Sequence, residues 1–358
     1  MNRNKGKFFT LSDLQKVEKG CNWLLLIGGR ANGKSYSVKQ HALRQAFDNI
    51  DGKVCTRQFA YIRRFDLDCK DSVCEPYFSD MPVSEITNGL YTMVSVYRKR
   101  IYFANINDDL KVERGVCIGQ CFALSSAEHY KSLMYSNIYN LIYEEVISQD
   151  NKYLYQEPFA LQQLISTILR DRVGKVYLIG NTISRICPYF KDFGLENIEQ
   201  LKPSESNIYH IGNAVLKAYH VPPRNYDNGM FFGRASKNIV KGEYYTEVQP
   251  HLMGKLTDYD VKHTVILKYE NFKFLMRLLK SKNDDFYVWY VEPKTSEIQK
   301  DTRVIAKEYN PNPLWSYGFF PLSRGEQVAF DMLLKEKLVT FSDNLTGTEF
   351  NNILLKLR

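Results

Sequence analysis

Gly28-Gly29-Arg30-Ala31-Asn32-Gly33-Lys34-Ser35 is the stretch on which the reading of this chain turns. It fits G-x-x-x-x-G-K-[ST] in the context that pattern requires, an apolar run Trp23–Gly29 before it and a helical pattern Lys34–Phe47 after it. Glycines let a backbone fold round phosphates with its N–H groups pointing inward. A helix starting at Lys34 adds its positive end. Lys34 is expected at the β- and γ-phosphates of ATP, and the Ser35 hydroxyl on Mg²⁺. The bland alternative is a glycine-rich turn at a strand end.

Outward from this loop, strand-like and helix-like segments alternate. Phe59–Arg64 reads as a short strand, Tyr91–Phe103 as a hairpin with its tip near Arg98, and Val116–Ser125 and Asn140–Val146 as apolar strands. Pro158–Arg172 has helical spacing, with Leu161, Leu164, Ile165, Ile168 and Leu169 on one face, and Val176–Gly180 returns as a strand. The pattern predicts an α/β fold, a P-loop domain over residues 1–200 with a mainly parallel sheet and helices on both faces. Residues 201–251 read as a linker with some strand signal at Ile208–Ile211. Residues 252–358 read as a smaller α+β domain. Its strands are expected at His263–Tyr269, Phe272–Leu279 and Phe286–Val291, with a turn at Lys282-Asn283-Asp284-Asp285, and its helices at Gly325–Leu338 and Thr348–Leu357.

A P-loop ATPase needs one acid for Mg²⁺ and usually another to orient water, at the end of an apolar strand neighbouring the loop strand. Leu141-Ile142-Tyr143-Glu144-Glu145 fits. Glu144 would help hold the metal and Glu145 would position the attacking water. The first of the two acids is usually Asp, so the longer Glu144 needs extra room. Asn181, at the end of Val176–Gly180, is either a γ-phosphate sensor or a turn asparagine. Arg170 and Arg172 could each project into a neighbour's nucleotide site, or simply place favourable charge at a helix C-terminus. Arg63-Arg64 and Lys131 carry the same ambiguity. The basic hairpin Arg98-Lys99-Arg100 is a candidate contact for a nucleic-acid backbone, or an ordinary exposed turn.

The bulk numbers suit this reading. The net charge of +8 suits a polyanionic partner without requiring one, and 14% aromatics argue against disorder. The longest apolar run, Trp23–Ile27, is too short to span a membrane, and Met1–Gly20 lacks the order of a signal peptide. A soluble cytoplasmic protein with no membrane partner is expected. The seven cysteines form no C-x-x-C pair and read as free thiols.

The order of motifs resembles the DNA-packaging ATPases of small podophages of the phi-twenty-nine type. Gly28–Tyr36 resembles their P-loop, adding Tyr36 to the cradle, and Tyr61-Ile62-Arg63-Arg64 their Y-[VI]-R-R strand. Leu124–Ser132 resembles a segment ending in Lys-Ser, and Leu141–Ile147 their D-E strand. Leu169-Arg170-Asp171-Arg172 resembles F-R-N-R, and Gly180-Asn181 with Pro188-Tyr189-Phe190 resembles S-N followed by N-P-Y-F. The similarity runs through roughly residues 20–190. It implies an ASCE-type ATPase related to FtsK and HerA. It further implies a homomeric ring, a pentamer, at the portal vertex of a prohead in the host cytoplasm. Double-stranded DNA and the portal are the implied partners, with a structural RNA as a further candidate. Arg170 is implied as the finger acting in trans, and Lys131 as a second trans-acting basic residue. The family's C-terminal domain is RNase H-like without its active site. Asp258, Asp260, Asp284, Asp285 and Asp301 suggest no convincing nuclease triad here. Lys268, Lys273, Arg277, Lys280 and Lys282 could face nucleic acid or the portal, or be solvated lysines and arginine on a sheet face.

Two other functions compete. A cellular or plasmid ring translocase or helicase would work on free DNA. A P-loop nucleotide kinase or switch would not need Arg170 from another subunit.

Overall fold

A computed structural model describes residues 8–131, 133–148, 152–224, 246–270, 272–299, 302–306, 308–317 and 338–357. The chain divides into two units, Met1–Tyr245 and Thr246–Arg358.

The first unit is built on one sheet with nine strands among the described residues. In chain order they are β1 (Trp23–Ile27), β2 (Gln58–Arg63), β3 (Met93–Tyr97), β4 (Arg100–Ile106), β5 (Val112–Ala123), β6 (Ile138–Glu144), β7 (Lys175–Ile179), β8 (Ser206–Ile211) and β9 (Ala214–His220). Across the sheet the order is β8-β9-β1-β7-β6-β2-β5-β4-β3. The six strands from β9 to β5 run parallel, while β8, β4 and β3 pair antiparallel at the two margins. The sheet is therefore mixed, with its run of six parallel strands flanked by antiparallel margins.

Sequence explains the layering. Leu24, Leu25, Leu26 and Ile27 of β1 are all buried, as a strand covered on both faces requires. One face packs on helix α1 (Leu11–Val17) and helix α2 (Lys34–Asp48) through Leu14, Val38, Ala42, Leu43 and Ala46. The other packs on helix α3 (Glu157–Leu169) through Leu161, Leu164, Ile165 and Ile168. The predicted helix Pro158–Arg172 thus stops at Leu169, because Arg170 leaves the helical region at φ 56°, ψ −111°.

The expected linker is corrected over residues 206–220. They form β8 and β9, and β9 lies hydrogen-bonded beside β1. Polar β8 is an edge strand, where one solvated side is tolerated. Residues 225–245 of that stretch lie outside the described residues.

The second unit holds a sheet of six strands among the described residues. They are β10 (Tyr259–Tyr269), β11 (Phe272–Ser281), β12 (Tyr287–Pro293), β13 (Val304–Ala306), β14 (Trp315–Tyr317) and β15 (Val339–Phe341). The order is β14-β13-β10-β11-β12-β15. β10, β11 and β12 form an antiparallel meander at the three predicted places, and β13 returns parallel to β10. Helix α4 spans Asn344–Leu357, four residues earlier than its apolar spacing suggests. The Asp343 carboxylate accepts from the Thr346 backbone N–H and starts it. Phe350 of α4 packs edge-on to Phe274 and against Phe341. The helix expected at 325–338 lies outside the described residues up to 337.

Candidate nucleotide site

The glycine loop joins β1 to α2 at the C-terminal edge of the parallel strands. Gly28 has φ +147°, and a Cβ there would lie 2.7 Å from the Val221 carbonyl oxygen. Gly33 is the left-handed N-cap of α2, and a Cβ there would lie 2.5 Å from the Phe9 carbonyl oxygen. Only glycine fits either place. Phe9 itself is strapped to the loop. Its N–H donates to the Asn32 carbonyl at 2.9 Å, and its carbonyl accepts from Ser37 Oγ at 2.7 Å.

Lys34 is buried. Its ammonium donates to Gly29 O at 2.6 Å, Gly28 O at 3.1 Å, Asn32 Oδ1 at 3.1 Å and Asn181 Oδ1 at 3.3 Å. Asn181 therefore meets the lysine of the loop from the end of β7. Burial pulls the Lys34 pKa down to about 7; Glu144 opposes the fall and Arg30 adds to it. Ser35 is half-buried, while Arg30, Ala31 and Tyr36 are exposed.

Glu144 ends β6, and one expectation about it is corrected. β6 is not next to the loop strand, because β7 lies between them. Chain order cannot reveal a crossover, and both strands still end at the same edge of the sheet. The Glu144 side chain is 12% exposed. Its Oε2 accepts from Tyr61 Oη at 2.8 Å and Arg63 Nη1 at 3.4 Å. Glu145 follows at φ +60° with its side chain 62% exposed, and Arg63 Nη2 donates to its Oε2 at 3.1 Å. Burial works against the Arg63 charge, but Tyr61, Glu145, Tyr77 and Glu144 around it outweigh that and raise its pKa. The Arg63 guanidinium also lies over the Tyr77 ring.

Four polar atoms at or near the loop and the acids are buried without a hydrogen-bond partner among the described residues: Glu144 Oε1, Asn32 Nδ2, His220 Nε2 and Arg63 Nε. Buried polar atoms are ordinarily satisfied. An acceptor on the acid and a donor on the loop suit a phosphate chain with its divalent cation. His220 was missed from sequence. It ends β9, its Cδ2 would lie 3.5 Å from a Cβ at Gly28, and its Nδ1 pairs with Leu201 O at 2.7 Å. Burial lowers its pKa, the Leu201 bond opposes that, and Lys34 lowers it further.

The two arginines after α3 separate clearly. Arg172 turns inward, donating through Nη2 to Tyr135 O at 2.5 Å and Ile168 O at 2.6 Å. Arg170 is exposed, and its Nη2 donates to Leu133 O at 3.3 Å. Lys131 is exposed too and pairs with Glu128.

Arg98 and Lys99 form the hairpin tip with positive φ, and their backbone N–H groups donate to the Asp71 carboxylate at 2.7 and 2.9 Å. Lys99 reaches Asp66, whereas Arg98 and Arg100 line an open cavity of about 800 Å³. The guanidinium groups of Arg98 and Arg114 both lie over the Tyr97 ring, 5.2 and 4.6 Å from its centroid.

In the second unit the charges pair locally. Lys268 meets Glu308 at 2.7 Å, Arg277 meets Glu292 at 2.7 Å and Lys280 meets Asp285 at 3.1 Å. Lys282 donates to Thr257 O at 2.9 Å. Asp258 accepts from the Lys255 N–H, and Asp260 pairs with Lys262. Asp301 lies outside the described residues. Among the described residues no three acidic, His or Cys side chains are grouped to hold a metal, and no helix is long and apolar enough to cross a membrane.

The model of one protein family, described as podovirus DNA encapsidation protein (Gp16), matches residues 4–212, which include the glycine loop, the glutamate pair and Asn181. The chain belongs to the podovirus DNA encapsidation protein family. A DNA packaging protein of Bacillus phage B103 is 30% identical over 173 residues, 48% of this chain and 47% of that one. The alignment thus spans about half the length of the curated relative. The solved packaging motor assembly of bacteriophage Phi-29 shares the fold at TM-score 0.57 and 19% identity, covering 96% of this chain and 98% of that one. The Phi-28 gp11 DNA packaging motor does so at TM-score 0.51 and 18% identity, covering 98% of both. The encapsidation-protein match ends within β8–β9, before the second unit begins.

Proposed function

We propose that this chain is the ATPase subunit of a motor that drives double-stranded DNA into a viral prohead. The observation that carries this is the convergence at one sheet edge of Lys34, Asn181 and the Glu144–Glu145 pair. The strand order β9-β1-β7-β6-β2, with an extra strand between loop and acids, supports an ASCE-type P-loop ATPase. The β10–β13 arrangement supports an RNase H-like second unit, which we assign to docking rather than cleavage.

Lys34 holds the β- and γ-phosphates, and the loop N–H groups cradle them. Ser35 and Glu144 would hold Mg²⁺, which neutralises charge building on the phosphates. Glu145 orients the attacking water, and Asn181 reports the γ-phosphate to Lys34. Because Arg172 is spent on backbone carbonyls, the exposed Arg170 is the finger offered to a neighbouring subunit, with Lys131 as a second trans-acting cation. The subunits form a homomeric ring, a pentamer, at the portal vertex in the host cytoplasm, with a structural RNA as a candidate bridge. Arg98 and Arg100 contact DNA phosphates without reading bases, joined by Arg114 across Tyr97.

Mixing tests the shared site. Lys34→Ala and Arg170→Ala proteins, each inactive alone, are expected to recover ATP turnover and prohead-dependent DNA uptake when combined. Full activity of Arg170→Ala alone, with no recovery at any mixing ratio, would point instead to a monomeric kinase or switch.

A further inference from the structure

Glu145 is out of step with its strand. Tyr143 packs on the α3 face, so Glu144 faces α2, and a regular strand would turn Glu145 back toward α3. Val146 takes that place instead. It belongs with Tyr143 to the α3-side cluster, although three residues of alternation should set the two on opposite faces. The Val146 N–H still donates to Ile179 O at 3.0 Å, continuing the pairing with β7. Glu145, at φ +60°, is therefore the extra residue of a bulge, and the bulge aims its carboxylate at Arg63 on the α2 side. A left-handed backbone at a residue with a side chain is strained and needs something to hold it.

Arg64 holds it. Its Nη2 donates to Glu145 O at 2.9 Å, and its Nε donates to Glu157 Oε2 at 2.9 Å. The Glu157 side chain is 0% exposed, and it also accepts from Tyr143 Oη at 2.7 Å, Tyr189 Oη at 2.9 Å and Leu154 N–H at 2.8 Å. Four donors on one buried carboxylate fix it at the first turn of α3, where a negative charge is favoured. Neighbouring arginines thus divide the work: Arg63 takes the Glu144 and Glu145 carboxylates, and Arg64 ties the Glu145 carbonyl to Glu157.

We infer that Arg64 and Glu157 are positioning residues, which set the direction of the Glu145 side chain by anchoring the carbonyl of its bulge. The inference rests on the ATPase reading proposed above. A misplacement of this kind costs rate without costing nucleotide affinity, because neither residue touches the glycine loop.

The experiment compares ATP turnover and ATP binding in full-length Arg64→Lys and Glu157→Gln proteins, each alone and combined with Glu145→Gln. Lysine keeps a charge beside Glu157 but cannot serve both partners, and glutamine keeps the shape of Glu157, so each variant covers for misfolding of the other. The expected result is a fall in kcat on the order of 10- to 100-fold with ATP affinity within about twofold of wild type. In the Glu145→Gln background, single-turnover rates should show no further loss, because two changes acting through one group are not additive. Wild-type kcat in both variants, or the same loss repeated in the Glu145→Gln background, overturns the positioning role. Absence of turnover in wild type, or full turnover in Glu145→Gln alone, would overturn the ATPase reading as well, so the two failures are distinguishable.

Discussion

The edge of the nine-stranded sheet and the face of the six-stranded one treat charge in opposite ways. At the first, Lys34, Arg63, Arg64 and Glu157 are buried and bound to several partners each. On the second, Lys268, Arg277 and Lys280 each meet one carboxylate near solvent. Removing a charge from water costs several kcal/mol, and a buried pair returns that only with good geometry and further hydrogen bonds. A solvated pair costs little and gives little. The first arrangement therefore depends on its full set of partners, and the second is compatible with almost any surface.

The comparison is broken most directly at Glu157. Glu157→Ala leaves Arg64 charged and buried without its carboxylate, and a loss of about 3–5 kcal/mol is expected in urea unfolding. A loss no larger than that of a surface pair would erase the distinction.

A smaller effect follows from Lys34. With its pKa in the folded protein near 7, well below the ordinary lysine value, Lys34 is mostly neutral at pH 8. Bound phosphates favour its charged form, so ATP binding at pH 8 should be accompanied by proton uptake. Titration calorimetry in buffers of different ionisation enthalpy reads this directly, and Lys34→Met should abolish the uptake. The sign for stability is also fixed. The unfolded chain binds more protons than the folded one between pH about 7 and 10.5, so this group's contribution to stability rises with pH across that window.

The smallest effect belongs to the second unit. Arg277→Ala should cost only about 0.2–1 kcal/mol, and high salt should shrink the difference. A value comparable to that for Glu157→Ala would show that the two regions are built alike.

Much of the first unit was legible because local signals agreed with one another. Gly28–Ser35 carried its own flanking strand and helix, and Glu144-Glu145 closed an apolar strand. The rest depended on long-range geometry. Sequence could not show that β7 inserts between β1 and β6. It could not choose between Arg63 and Arg64 either, since the partner of Arg64 lies 93 residues downstream. Strand alternation alone does place them on opposite faces, a signal that was available and unused. His220 was hidden in a polar stretch read as a linker, because half of β9 faces partly solvated surroundings. Arg170 and Arg172 became distinguishable only once backbone carbonyls could be seen accepting from Arg172.

The strap at Phe9 has a mechanical corollary. Two hydrogen bonds tie this residue to Asn32 and Ser37, and Gly33 lies flush against its carbonyl. Traction applied to the chain ahead of Phe8 would be delivered straight to the glycine turn, with no slack between. A bead, surface or fusion attached upstream would therefore tug on the Gly28–Ser35 loop itself, whereas a handle on the second unit would leave that turn unloaded by this route.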